Sequence, residues 1–74
     1  MNIRIHSRTA FPRILEETLF QAYQEGKRSG DFLLLFPVKE REKDSILDQV
    51  KAHSVVLDAK WRFGTVLFTA YIKH

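Results

Sequence analysis

Five consecutive apolar residues, Phe32-Leu33-Leu34-Leu35-Phe36, sit near the middle of a chain of only 74 residues. A strand with one wet face alternates apolar and polar side chains. This run does not, so it reads as a central strand with both faces at least partly covered, ended by Pro37. It is far too short to cross a bilayer, which takes about 20 apolar residues. The rest of the chain must therefore supply neighbouring strands and a covering layer. A chain of this length buries roughly 60% of its unfolded surface. With Cys 0 there is no disulfide to staple it and no cysteine-based metal site. Residues 1–74 thus read as a single small domain, of the kind whose thin core is often supplemented by dimerisation. No apolar run between Met1 and Ala10 resembles a signal peptide, and a cytoplasmic protein without membrane attachment is expected.

The segments around the central run have clear periods. Asn2 to His6 alternates, with Ile3 and Ile5 on one side and Asn2, Arg4 and His6 on the other, which predicts a short strand. Phe11 to Glu25 predicts a helix. Pro12 falls in its first turn, Gly26 is its C-terminal cap, and Phe11, Ile14, Leu15, Thr18, Leu19, Ala22 and Tyr23 form one apolar stripe. Phe20 falls on the opposite side. Ile46, Leu47, Val50 and His53 predict a second, shorter helix, capped by Asp44 or Ser45 or starting near Lys39. Val55 to Ala59 and Thr65 to Lys73 read as two strands of a hairpin joined around Trp61 to Gly64. On the last strand Val66, Phe68, Ala70 and Ile72 take an apolar side, and Thr65, Leu67, Thr69, Tyr71 and Lys73 a mixed one.

The resulting order is β-α-β-α-β-β. Right-handed crossovers between parallel strands put both helices on one side of the sheet. The expected fold class is therefore an α/β two-layer sandwich with a four-stranded mixed sheet. This order of elements, over nearly the whole chain, resembles that of the C-terminal domain of bacterial translation initiation factor three and of the archaeal Alba chromatin proteins. The resemblance lies in element order and not in a residue motif. It implies RNA or DNA binding. Other members of that fold group perform sulfur transfer through a cysteine, which this chain lacks.

Charge is segregated. All nine acidic residues lie between Glu16 and Asp58, while Arg4, Arg8 and Arg13 at one end and Lys60, Arg62 and Lys73 at the other meet no acid. If the two ends meet in the fold, they make a positive face suited to a polyanion. Lys60-Trp61-Arg62-Phe63 adds rings to cations: the cations neutralise phosphates and a flat ring stacks on a base. The other reading is that Trp61 and Phe63 cover the end of the core. Arg8 and Arg13, near the start of the first helix, are candidate phosphate contacts because helix N-termini favour anions. Tyr71, on the open face of the sheet, is a candidate stacking platform. Gly26-Lys27-Arg28-Ser29-Gly30 matches neither a P-loop nor the Gly-x-x-Gly clamp.

His6, His53 and His74 have no metal-ligand spacing, and no nucleophile and base fall into a recognisable arrangement, so neither a catalytic nor a metal site is expected, and no cofactor. The leading expectation is a small, non-catalytic, homodimeric domain that binds single-stranded or duplex nucleic acid through Arg8, Arg13, Lys60, Trp61, Arg62 and Tyr71. The alternative is a regulatory or protein-interaction module, a small inhibitor or subunit, whose anchors are Phe20, Leu67 and Tyr71.

Overall fold

The computed structural model describes residues 2–74. Its elements are β1 (Asn2–Ile5), α1 (Phe11–Gln24), β2 (Ser29–Leu34), α2 (Lys43–Lys51), β3 (Val56–Phe63) and β4 (Leu67–Ile72), with one 3-10 turn at Glu40–Glu42 running into α2. The four strands form one mixed sheet in the order β1-β2-β4-β3. β1 is parallel to β2, and β4 is antiparallel to both β2 and β3. α2 thus carries the chain from β2 past one open position to β3, and β4 folds back into that position.

The sheet is covered on one side. Ile5, Phe32, Leu34, Val56, Ala59, Phe68, Ala70 and Ile72 pack with Leu15, Leu19 and Ala22 of α1 and with Ile46 and Val50 of α2 in one core. Its centre is aromatic. The fully buried Phe68 stacks on Phe32 with ring centroids 5.0 Å apart. Phe11 and Trp61 meet Phe68 edge-on at 6.4 and 5.5 Å. Such offset and edge geometries satisfy the ring quadrupoles in addition to removing apolar area from water. This is the two-layer α/β sandwich expected from the order of elements, with both helices on one face.

Local chemistry explains the boundaries. Ala10 has no side chain to cap α1, but its N–H donates to Ser7 Oγ at 3.1 Å, and Pro12 occupies the first turn. At the other end Gly26, at φ +73°, closes the helix. The Gly26 N–H donates to the Tyr23 carbonyl and the Lys27 N–H to the Ala22 carbonyl, at 3.2 and 2.9 Å. This is the paired C-terminal motif that needs a left-handed residue. The helical segment after β2 starts near Lys39, whose N–H donates to Glu42 Oε2 at 3.4 Å.

Several features differ from expectation. β2 stops at Leu34, short of Leu35 and Phe36, and β4 starts at Leu67, which leaves Thr65 and Val66 in the turn. β2 begins at Ser29, so the Gly-Lys-Arg-Ser-Gly loop is shorter than its glycines suggest; Ser29 and Gly30 pair with Tyr71 and Ala70. Tyr23 leaves the core and stacks on His74, centroids 5.8 Å apart and planes 6° from parallel, while His74 Nε2 sits 2.6 Å from the Lys27 carbonyl oxygen. β3 runs on to Phe63, so Lys60, Trp61 and Arg62 lie in the strand and not at a hairpin tip. The turn follows it, with Gly64 at φ +51°.

Candidate nucleic-acid interface

The side of the sheet away from the helices is open. Strand pairing arranges its side chains in cross-strand rows. One row is Arg4, Leu33, Leu67 and Phe63; the next is Asn2, Asp31, Thr69 and Lys60; the third is Ser29, Tyr71 and Asp58. Alternation along each strand explains this: the residues between them, such as Phe32 and Phe68, point into the core.

Phe63 breaks the alternation. Trp61 pairs with Phe68 on the buried side, yet Phe63, two residues on, pairs with Leu67 on the open side, because β3 is bulged between them. A bulge sets two residues against one and re-aims the side chains that follow. Phe63 is consequently 71% exposed. A second bulge lies between Val56 and Asp58, and Leu57 there is 69% exposed.

Trp61 goes the other way. Its indole N–H donates to the Lys43 carbonyl at 3.2 Å, and Lys43 Nζ lies 5.8 Å from the ring centroid. With Phe68 on its other side, the ring closes the end of the core beneath α2. Of the two readings of Lys60-Trp61-Arg62-Phe63, core cover holds for Trp61 and exposure holds for Phe63.

The cations divide between the layers. Arg4, Lys60 and Arg62 belong to the open face and are solvent-exposed. Arg62 donates to the Tyr71 hydroxyl at 3.2 Å, which lays the guanidinium along the face. Arg8 does not join them. Its guanidinium is 3.1 Å from Glu42 Oε2, donates to the Pro37 carbonyl at 2.6 Å, and lies 5.2 Å from the Phe36 ring centroid. It is a clasp between the two connections that precede the helices. Partial desolvation pushes the Glu42 carboxyl up, but the bonds from Arg8 and the Lys39 N–H, with the charges of both residues, outweigh it and hold the group below the usual glutamate value. Arg13 is exposed on α1, in the helical layer. On the sheet strands the two basic ends share a face through Arg4 of β1 and Lys60 and Arg62 of β3, at opposite edges three strand spacings, roughly 14 Å, apart.

The acids of this face have partners of their own. Asp58 Oδ1 lies 3.7 Å from Lys51 Nζ and accepts the Ala59 N–H at 2.8 Å. Asp31 Oδ1 accepts the Thr69 hydroxyl at 2.6 Å. Phe20, 42% exposed, stands on α1, whereas Leu67 and Tyr71 belong to the sheet's open face, so these three do not form one contact surface. Phe63 and Asp31 both belong to the face, though neither is among the residues expected to bind. The bulge that releases Phe63 has no sequence signature, but the Asp31 position follows from counting back along β2 by twos.

Among the described residues, no group of three or more His, Asp or Glu side chains converges as a metal site. Among the same residues, no helix is long and apolar enough to cross a membrane. Comparisons with protein-family models, with curated proteins and with solved structures find no match for this chain.

Proposed function

We propose that this domain binds single-stranded nucleic acid across the open face of its sheet and performs no chemistry on it. The observation that carries the reading is the shared placement of Arg4, Lys60 and Arg62 with the Tyr71 and Phe63 rings and the Leu33–Leu67 row on one uncovered surface. Cations at the two edges meet phosphates while unstacked bases lie on rings and aliphatic side chains between them. Open sheets serve single strands in this way, because every base has a face to stack. A duplex presents phosphates and groove edges instead of base faces, and the apolar row gains nothing from it. Trp61, Arg8 and Arg13 take no part, since each is used or placed on the helical side.

Fluorescence anisotropy of labelled single-stranded RNA, single-stranded DNA and duplex DNA, titrated with the protein at low salt, tests the reading. Binding of single strands in preference to duplex is expected, and it should weaken when Lys60 and Arg62 are both changed to alanine. A duplex preference, or no binding at tens of micromolar protein, overturns it. A homodimer formed through the same face would cover Leu33, Leu67 and Phe63 and would compete with the strand. Sedimentation of the free and bound protein separates that arrangement from a monomer that binds nucleic acid.

A further inference from the structure

At the centre of the open face lies a recess of about 330 Å³ lined by Ser29, Asp31, Arg62, Leu67, Thr69 and Tyr71. Its volume falls at the small end of ligand-sized clefts. Asp31 is its odd member. A carboxylate in the middle of a phosphate-binding surface repels phosphate, and this one has no cation within ion-pair distance among the described residues. Its one side-chain partner is the Thr69 hydroxyl at Oδ1. An ionised carboxylate has about four lone-pair positions and accepts only, so Asp31 retains capacity for a ligand that donates. Across the recess Arg62 spends one N–H on the Tyr71 hydroxyl. A guanidinium carries about five, so it retains donors for a ligand that accepts.

A carboxylate with more than one free acceptor position, facing a donor across the recess, is matched in full by a base edge with two adjacent donors followed by an acceptor. Guanine has that edge: N2–H and N1–H donate and O6 accepts. Uracil and thymine set one N–H between two carbonyls, which face a carboxylate unfavourably. Adenine and cytosine offer a single amino group beside an acceptor nitrogen, which leaves the carboxylate's second free position unfilled. Resting on the single-strand reading above, we propose that the Asp31–Arg62 recess is a guanine subsite. Asp31 accepts hydrogen bonds from N1–H and N2–H, Arg62 donates to O6, and the Tyr71 and Leu67 side chains flank the base. Bidentate recognition of a base edge discriminates by roughly tenfold to a hundredfold.

The test compares two labelled single-stranded RNAs of equal length by anisotropy, one all uridine and one with a single central guanosine. Too few guanines are present for self-association of the strands. The wild-type protein is expected to bind the guanosine strand roughly tenfold or more tightly, and inosine at that position, which lacks the N2 amine, should lose part of the gain. Asp31→Asn keeps an oxygen for the Thr69 hydroxyl, so the fold is retained, and circular dichroism checks this. The variant should bind the two strands equally and the uridine strand no worse than wild type does. Equal binding of both strands by the wild type overturns the guanine subsite and leaves the single-strand reading standing. Binding of neither overturns both. GMP as competitor should displace the strand only at concentrations far above the strand's own; displacement at comparable concentration would make the ligand a free nucleotide and overturn the strand subsite.

Discussion

Changing Lys60 and Arg62 together to alanine should alter how binding responds to salt more than it alters anything else. On a strand that carries no guanine, three strand-borne cations of the open face, Arg4, Lys60 and Arg62, are free to meet phosphate. Each phosphate neutralised on a single strand releases condensed counterion, and the logarithm of affinity falls with the logarithm of salt at about −0.7 per contact, or roughly −2 for three contacts. Raising salt from about 50 to 200 mM should therefore weaken wild-type binding roughly twentyfold, and the double variant, left with Arg4, only about threefold. Anisotropy titrations at four salt concentrations measure both slopes. Arg13→Ala is the control: Arg13 sits on α1, in the layer across the sheet from the open face, and its loss should leave the slope unchanged. Equal slopes for wild type and the double variant would refute the assignment of phosphate contacts to β3. An Arg13→Ala slope as flat as that of the double variant would move the interface to the helical layer.

Phe68→Ala removes the ring that Phe32, Phe11 and Trp61 all touch. A loss of about 3–5 kcal/mol in urea unfolding is expected, a large share of the roughly 4–11 kcal/mol available to a domain of this size; a loss below about 1 kcal/mol would contradict the packing described. Glu42, whose carboxyl is held below its ordinary value of 4.5, contributes stability that is fully present above that value and is lost as pH falls through the lowered folded value. Glu42→Gln should therefore flatten the acid limb of the unfolding midpoint against pH below about 4.5, and an unchanged limb would show that the Arg8 clasp does not couple to folding. Trp61 emission should change little when a strand binds, because the indole lies beneath α2 with its N–H on the Lys43 carbonyl; strong quenching would show that it meets the ligand.

What could be read from the residues was whatever depends on period. Ile3 and Ile5, the stripe of α1, and the alternation of Phe68, Ala70 and Ile72 against Leu67, Thr69 and Tyr71 each report a face directly, and Gly26 reports a helix end. What could not be read depends on partners distant in the chain. Nothing near Trp61 in sequence says that Phe68 will face it, so the extension of β3 beyond Ala59 was invisible. The same holds for Arg8: a lone arginine before a helix looks like an anion contact until Glu42, brought close by the β2–α2 connection, takes it. Tyr23 fits the helical stripe, yet it lies exposed and stacked on His74, a partner far along the chain. Basic ends that looked like one patch were separated by strand order, which the sequence pattern does not encode.

Strand order also governs how the chain can be assembled and broken. β4, the last strand in sequence, lies inside the sheet between β2 and β3. Before it arrives, β2 has one neighbour and β3 has none, and Phe32 lacks the ring it stacks on. A chain made from its N-terminus towards its C-terminus therefore cannot build this sheet outward from a finished centre; the middle is closed by a strand made after both of its neighbours. Cutting within Leu67–Ile72 would not trim an edge. It would part the sheet into β1–β2 and a solitary β3, so that folding of the first half and folding of the second become a single event.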